Sequence, residues 1–410
     1  MSLAAALFAD LGTATRVGSG IVRDSYGAGE QAGHDLVRTA AAALGLEIAI
    51  DAIGNLMMTL TGSERDAPGI IIGSHLDSTP QGGNFDGAAG VVAGLSALAG
   101  LRRAGITPRT DLTVMAIRGE ESSWFDISYI GSSGAFGLLD PQCLAVPRAD
   151  NGRSFESTLL EHGFDPRAIR ERRRLLDPAR VRAYLELHIE QGPTLVDKGL
   201  PAAVVSAIRG CRRFRNARCL GQYGHSGTLP RSHRRDAVAA TVALLHHLES
   251  LWIDYERRGA DLVFTVGELS TDPALHAPSK VSGETRFVLD FRSASEDTMR
   301  DIVAGAREAA KRVGDAYRVR FDLGDTSDSP AAIMDPRLRA SLLDLLDQPF
   351  EMASGAGHDA AVFASVGIPS AMIFVRNDHG SHNPEESMDL EDFAIATRAL
   401  LRLLVDFPSA

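Results

Sequence analysis

The sequence has little cysteine: three residues in 410, at Cys143, Cys211 and Cys219. An odd number at those spacings fits no disulfide framework, zinc ribbon or C-x-x-C redox pair. The thiols read as idle ones of a reducing compartment. Positive charge is also short. With 42 Lys and Arg against 53 Asp and Glu the formal net charge is -11, which argues against nucleic acid or an anionic membrane as the main partner. An anionic small substrate is not excluded, because a site can carry its own local positive charge. No apolar run approaches the roughly 20 residues of a membrane span. The leading segment MSLAAALFADLG lacks a basic start and reads as a first helix rather than a signal peptide. The expected location is therefore the cytoplasm. No low-complexity tract or short-period repeat is present.

What is present is an ordinary globular composition, 44% hydrophobic and 23% charged, in a chain long enough for two domains. Apolar runs alternate with amphipathic stretches, the pattern of an α/β protein. Residues 30–46 read as a helix closed by Gly45, and residues 88–101 as a second helix. Strands are expected at 69–72, 112–117 and 184–189, each ending in polar residues: Ser74-His75, Gly119-Glu120-Glu121, and His188 through Gly192. In open α/β sheets ligands bind beyond the carboxyl ends of strands, so three such ends carrying His or Glu form a site signature.

From about residue 207 the pattern changes. Strand 211–220, helix 235–251, strands 261–269 and 284–292, helix 295–313 and strand 317–323 give the order β-α-β-β-α-β, a ferredoxin-like unit. Along 284–292, Phe287, Leu289 and Phe291 point one way and Arg286, Val288, Asp290 and Arg292 the other. The apolar set is expected under the helices and Arg292 on the uncovered face. The first pattern then resumes with helix 337–346, strand 369–375 and a C-terminal helix. The expected architecture is a catalytic domain (1–206 and 324–410), its mixed sheet flanked by helices, with an inserted domain (207–323).

Potential ligands fall in the segments holding His75 and Asp77, Asp86, Glu120 and Glu121, Glu186 and His188, and His382. Mixed imidazole and carboxylate sets suit Zn, Mn, Co or Ni. Asp86 has two oxygens with which to bridge two metals, and Asp77 is spaced to accept the other ring N–H of His75.

The chain resembles the N-carbamoyl-L-amino acid amidohydrolases, with the β-ureidopropionases and allantoate amidohydrolases beside them, within the clan of two-metal aminoacylases and carboxypeptidases. The segments that carry the resemblance are DAIGNL at 51–56, GSHLDSTPQGGNFDGAAGV at 73–91, EES at 120–122 and ELHIEQGP at 186–193. GHSGTLP at 224–230, DFRS at 290–293, SGAGHDA at 354–360 and GSHNPEE at 380–386 complete them.

The resemblance implies two divalent metal ions per subunit, one held by His75 and His188, the other by Glu121 and His382, with Asp86 bridging. It implies Glu120 as general base, His225 as hydrogen-bond donor to the oxyanion, and Arg292 as the grip on a substrate carboxylate. Gln191, Gly357 and His358 would line the pocket, and Ser279 would stand where the family tends to have Asn. It also implies a small anionic ureido or amide substrate, a linear C–N bond hydrolysed to amino acid, ammonia and carbon dioxide, and a homodimer with the inserted domain as lid and dimerisation element. Trp124 stands where the family usually has Arg; either the ring reshapes the pocket or it only packs the loop. A deacylase or dipeptidase of the same clan and a non-catalytic binding protein are the competing readings, the last disfavoured because neither base nor ligand is missing.

Overall fold

Aliphatic runs bounded by turn residues build a nine-stranded mixed sheet. In the computed structural model, which describes residues 2–407, four parallel strands form its middle, in the order Leu112–Ile117, Gly69–His75, Val181–Ile189 and Ser370–Val375. Antiparallel strands flank them. Leu56–Leu60 and Glu47–Ile50 lie beyond the first, and Ala202–Ile208 beyond the last. The parallel strands are almost wholly buried, which is why they read as unbroken apolar runs rather than as alternation. Of the flanking strands that escaped the sequence reading, Glu47–Ile50 is short and exposed throughout.

Helices cover the sheet, and the chain is mixed α/β. Ala88–Arg103 approaches closely because its sheet-facing residues are small: a Cβ on Gly90 would stand 2.4 Å from the Leu187 carbonyl oxygen. Its core is shared with Ser2–Thr15, Ala28–Ala43 and Leu390–Val405. Residues 118–180 leave the sheet as a run of short helices with their own core, including Tyr26, Trp124, Phe125, Phe155 and Leu159. No helix among the described residues is long and apolar enough to cross a membrane.

The chain divides into two compact units. The first runs to Ser206 and resumes at Ile333; the second is Ala207–Ala332. Met1 and residues 408–410, at the ends of the expected catalytic domain, lie outside the described residues. In the second unit the chain order is strand Gly210–Leu220, helix Ala237–Arg257, strands Val263–Ser270 and Glu284–Ser293, helix Glu296–Tyr317 and strand Arg320–Asp322. Val263–Ser270 is one edge, followed by Glu284–Ser293, Gly210–Leu220 and Arg320–Asp322, all antiparallel. Ser327–Ser329 adds to Gly210–Leu220. Phe287, Leu289 and Phe291 enter the core with Phe214, Leu244 and Ile302, while Arg286 is exposed and Arg292 half-buried. The last strand starts later than its composition suggests. Tyr317 completes the helix, which Arg318 ends in the left-handed conformation at φ 55°.

Candidate metal centre

The strand Gly69–His75 ends by delivering His75, and the following loop returns at Asn84-Phe85-Asp86-Gly87 to start the helix Ala88–Arg103. Gly87 is required there twice. Its φ is +64°, and a Cβ would lie 2.5 Å from the His75 ring. The neighbouring strand supplies Glu120 and Glu121 just past Ile117, and Val181–Ile189 supplies His188. His382 comes from the turn after Ser370–Val375, held in the left-handed region at φ 62°. All four parallel strands thus point a candidate ligand or base at one place.

There the structure brings together His75, Asp86 and His188, and again Asp86, Glu121 and His382, with candidate ligand atoms in each set within 4.8 Å of one another. Asp86 belongs to both. Its Oδ1 lies 3.4 Å from His75 Nε2 and 3.3 Å from His188 Nε2, and its Oδ2 lies 3.4 Å from His382 Nε2. Glu121 Oε1 is 3.0 Å from His382 Nε2. Glu120 Oε2 stands 4.0 Å from His75 Nε2.

The rings are pre-set for a cation. His75 Nδ1 lies 3.1 Å from the Asp77 carbonyl oxygen and His188 Nδ1 2.9 Å from that of Ile189. A carbonyl only accepts, so Nδ1 carries the hydrogen, and Nε2, the nitrogen that faces Asp86, is the one left to take a proton or a cation. Asp77 reaches two neighbours of the site. Besides lying 3.2 Å from His75 Nδ1, its two oxygens accept the backbone N–H of Glu120 at 3.0 Å and of Glu121 at 3.1 Å. The donor set, three imidazoles and the Glu121 carboxylate around the shared Asp86, fits divalent first-row cations.

The electrostatics agree with that chemistry. Burial opposes charge on His75, but Asp77, Asp86 and Glu120 outweigh it and hold its pKa well above the ordinary imidazole value. Burial likewise opposes charge on Asp86, and the three imidazoles overcome it, holding its carboxyl well below the usual range. Asp86, then Glu121, raise His382 to about 10. Burial above all, aided by Glu121, pushes Glu120 well upward against the pull of His75. A cluster of carboxylates that draws protons onto its histidines is one in which positive charge is strongly favoured.

Of the expected pocket residues, Gln191 takes a left-handed φ of 64° and donates Nε2 to Asp86 Oδ2 at 2.8 Å. Asn377 ties its backbone to the His382 turn, accepting from Gln191 N and donating to the Gly380 carbonyl. His358 is buried, its ring 4.4 Å from that of His188, and its Nε2 is 2.9 Å from Ser354 Oγ. Burial, then His188, hold His358 well below the ordinary imidazole pKa. Gly357 has no room for a side chain, since a Cβ would meet the Tyr129 hydroxyl. His225, Ser279 and Arg292 belong to the second unit. The short strand with His225 pairs with Lys280–Val281, and the Ser279 carbonyl accepts Ser226 N, so the first two are neighbours. Arg292 Nη2 lies 3.3 Å from Asp290 Oδ2.

Sequence reasoning missed Arg23, Glu386 and Tyr129 among the groups that hold these residues, and named Glu186 only as a potential ligand. Arg23, fully buried, donates to the carbonyls of Leu76, Asn84 and Asp86. Glu386 accepts the N–H of Phe85 and Asp86. Glu186 accepts Ser74 Oγ and Ala360 N. Tyr129, at φ 57°, donates its N–H to the Glu120 carbonyl and lays its hydroxyl on Gly357. Trp124 is buried, and its indole N–H donates to the Ser78 carbonyl at 2.7 Å.

Residues 71–406 match the family described as Peptidase family M20/M25/M40. An N-carbamoyl-L-amino acid amidohydrolase of Geobacillus stearothermophilus is 32% identical over 388 residues, covering 93% of this chain and 92% of its own. An allantoate amidohydrolase of Escherichia coli (strain K12) is 33% identical over 370 residues, with 88% and 87% covered. A solved amidase of the hydantoinase/carbamoylase family from Burkholderia multivorans superposes with a TM-score of 0.87 at 26% identity, over 99% of this chain and 98% of that one.

Proposed function

Because the chain belongs to peptidase family M20/M25/M40, we propose that it is an amidohydrolase of ureido acids. It hydrolyses the linear C–N bond of an N-carbamoyl amino acid or a related compound and releases the amino acid, ammonia and carbon dioxide. One observation carries the reading: Asp86 turns one oxygen to His75 and His188 and the other to His382. Two divalent cations, of Zn, Mn, Co or Ni, are assigned to its two sides, the first with His75 and His188, the second with Glu121 and His382. Bound there, they would polarise the scissile carbonyl and acidify a water.

The chain's own residues do the rest. Glu120, beside the ligands and with its pKa raised by burial, takes a proton and returns it to the leaving nitrogen. His225 is assigned the hydrogen bond to the developing oxyanion, and Arg292 the planar grip on the substrate carboxylate. Gln191, Ser279, Gly357 and His358 are assigned to the substrate pocket. The second unit is assigned as a ferredoxin-like lid and dimerisation domain, and the protein as a homodimer.

The test sets ammonia release from N-carbamoyl α-amino acids, 3-ureidopropionate and allantoate against amino-acid release from N-acetyl amino acids, on enzyme loaded with Mn, Zn or Co. Turnover of a ureido acid is expected. Turnover of N-acetyl amino acids alone would make the protein a deacylase, and none with any substrate would sink the proposal.

A further inference from the structure

Arg148 lies in the excursion after Ile117, outside the expected site, yet it is only 4% exposed. Its guanidinium stands 5.2 Å over the Trp124 ring. Nη1 donates to the Ser25 carbonyl at 2.6 Å, Nη2 to Asp24 Oδ2 at 2.5 Å and Nε to Asp150 Oδ1 at 2.8 Å. Ser25, fully buried, donates its hydroxyl to Asp77 Oδ2 at 2.5 Å. Asp77 then accepts the N–H of Glu120 and of Glu121 and stands beside His75 Nδ1. A guanidinium is costly to bury unless its donors are used, and here two of these three bonds go to the segment that carries Ser25. Trp124, where the resemblance leads one to expect an arginine, is the ring on which this other arginine rests.

We propose that Arg148 and Ser25 are positioning residues for the metal centre: acting through Asp77, they fix the Glu120–Glu121 peptide and the His75 ring. The proposal rests on the metal assignment above. Ser25→Ala removes one hydroxyl, and Arg148→Lys keeps the charge but loses the planar fork. In Ser25→Ala the apparent dissociation constant for Mn(II), read by chelator competition, should rise about 10-fold, and kcat should fall by a similar factor, the lower end for outer-sphere partners of metal ligands. KM should be little changed. The Ser25→Ala/Arg148→Lys double variant should be no worse than the worse single, because both act along one chain of contacts.

Unchanged Mn(II) affinity and kcat in Ser25→Ala, or losses that multiply in the double variant, would overturn the proposal. His188→Ala separates this outcome from failure of the metal assignment. If it too keeps its Mn(II), the metal assignment fails with the brace. If it alone loses Mn(II), only the brace fails.

Discussion

The two units hold their candidate functional residues in opposite ways. In the first, His75, Asp86 and His188 are at most 3% exposed and Asp77 is fully buried, with His75, Asp77 and His188 tied to backbone groups, while His382, its side chain 50% exposed, is the exception among the candidate ligands. In the second, His225 is exposed and its Nδ1 accepts the N–H groups of Gly227 and Thr228, while the Arg292 side chain is 37% exposed and shares Asp290 with Arg213. Burying several charges is costly unless each is balanced, and the first unit balances them within one cluster. Such a site is preorganised for a cation, and its geometry has little freedom to adapt. The second unit's residues lie at the surface, where conformational change is cheap. Defects in the first unit should therefore appear in metal content and kcat, and defects in the second in substrate binding and in stabilisation of the transition state.

The most damaging test of this contrast is Asp86→Ala. Removing the shared carboxylate should lose both cations together and lower kcat/KM by about 10^4 or more, the scale on which members of one catalytic unit fail together. Metal analysis after dialysis checks it; loss of only one equivalent would break the bridging assignment. Glu120→Gln should come next, lowering kcat by about 10^2 to 10^4 while both cations remain bound. Metal loss in that variant would instead make Glu120 a ligand.

Much of the first unit was legible from sequence because its chemistry sits where apolar runs stop. His75 and His188 lie at the ends of buried strands, Glu121 follows another, and Asp86-Gly87 marks a helix start. What was not legible acts across distance in the chain. Arg23, Ser25 and Arg148 sit in loops with no periodic signal, and each is defined by a partner 53, 52 or 123 residues away. The second unit's layering was legible at Phe287, Leu289 and Phe291 through their alternation. Its helix end was not: Tyr317 suits a strand by propensity, but the preceding helix captures it.

Turning to the second unit, His225→Ala should lower kcat about 10^2- to 10^3-fold, as for loss of one oxyanion donor, with metal content intact. Arg292→Lys should raise KM by about 10-fold, the lower end for a charge-assisted hydrogen bond, with kcat nearly unchanged. Steady-state kinetics with metal analysis checks both. Loss of metal in either variant would erase the distinction between the units.

The smallest effect is expected at Trp124, and it decides between the two readings of that residue. Trp124→Phe keeps an aromatic ring for Arg148 to rest on but deletes the N–H that reaches the Ser78 carbonyl. A buried carbonyl then loses a donor, which should cost about 1 kcal/mol or somewhat more of stability. If the indole only packs the loop, kcat/KM for ureido substrates should stay within about threefold of the parent, because that stability loss need not reach the transition state. A change in the ranking of substrates, measured on the same panel of ureido and acyl compounds, would show that Trp124 also shapes the pocket. The first unit's preorganised cluster would then extend to the residue that replaces a cation with a ring.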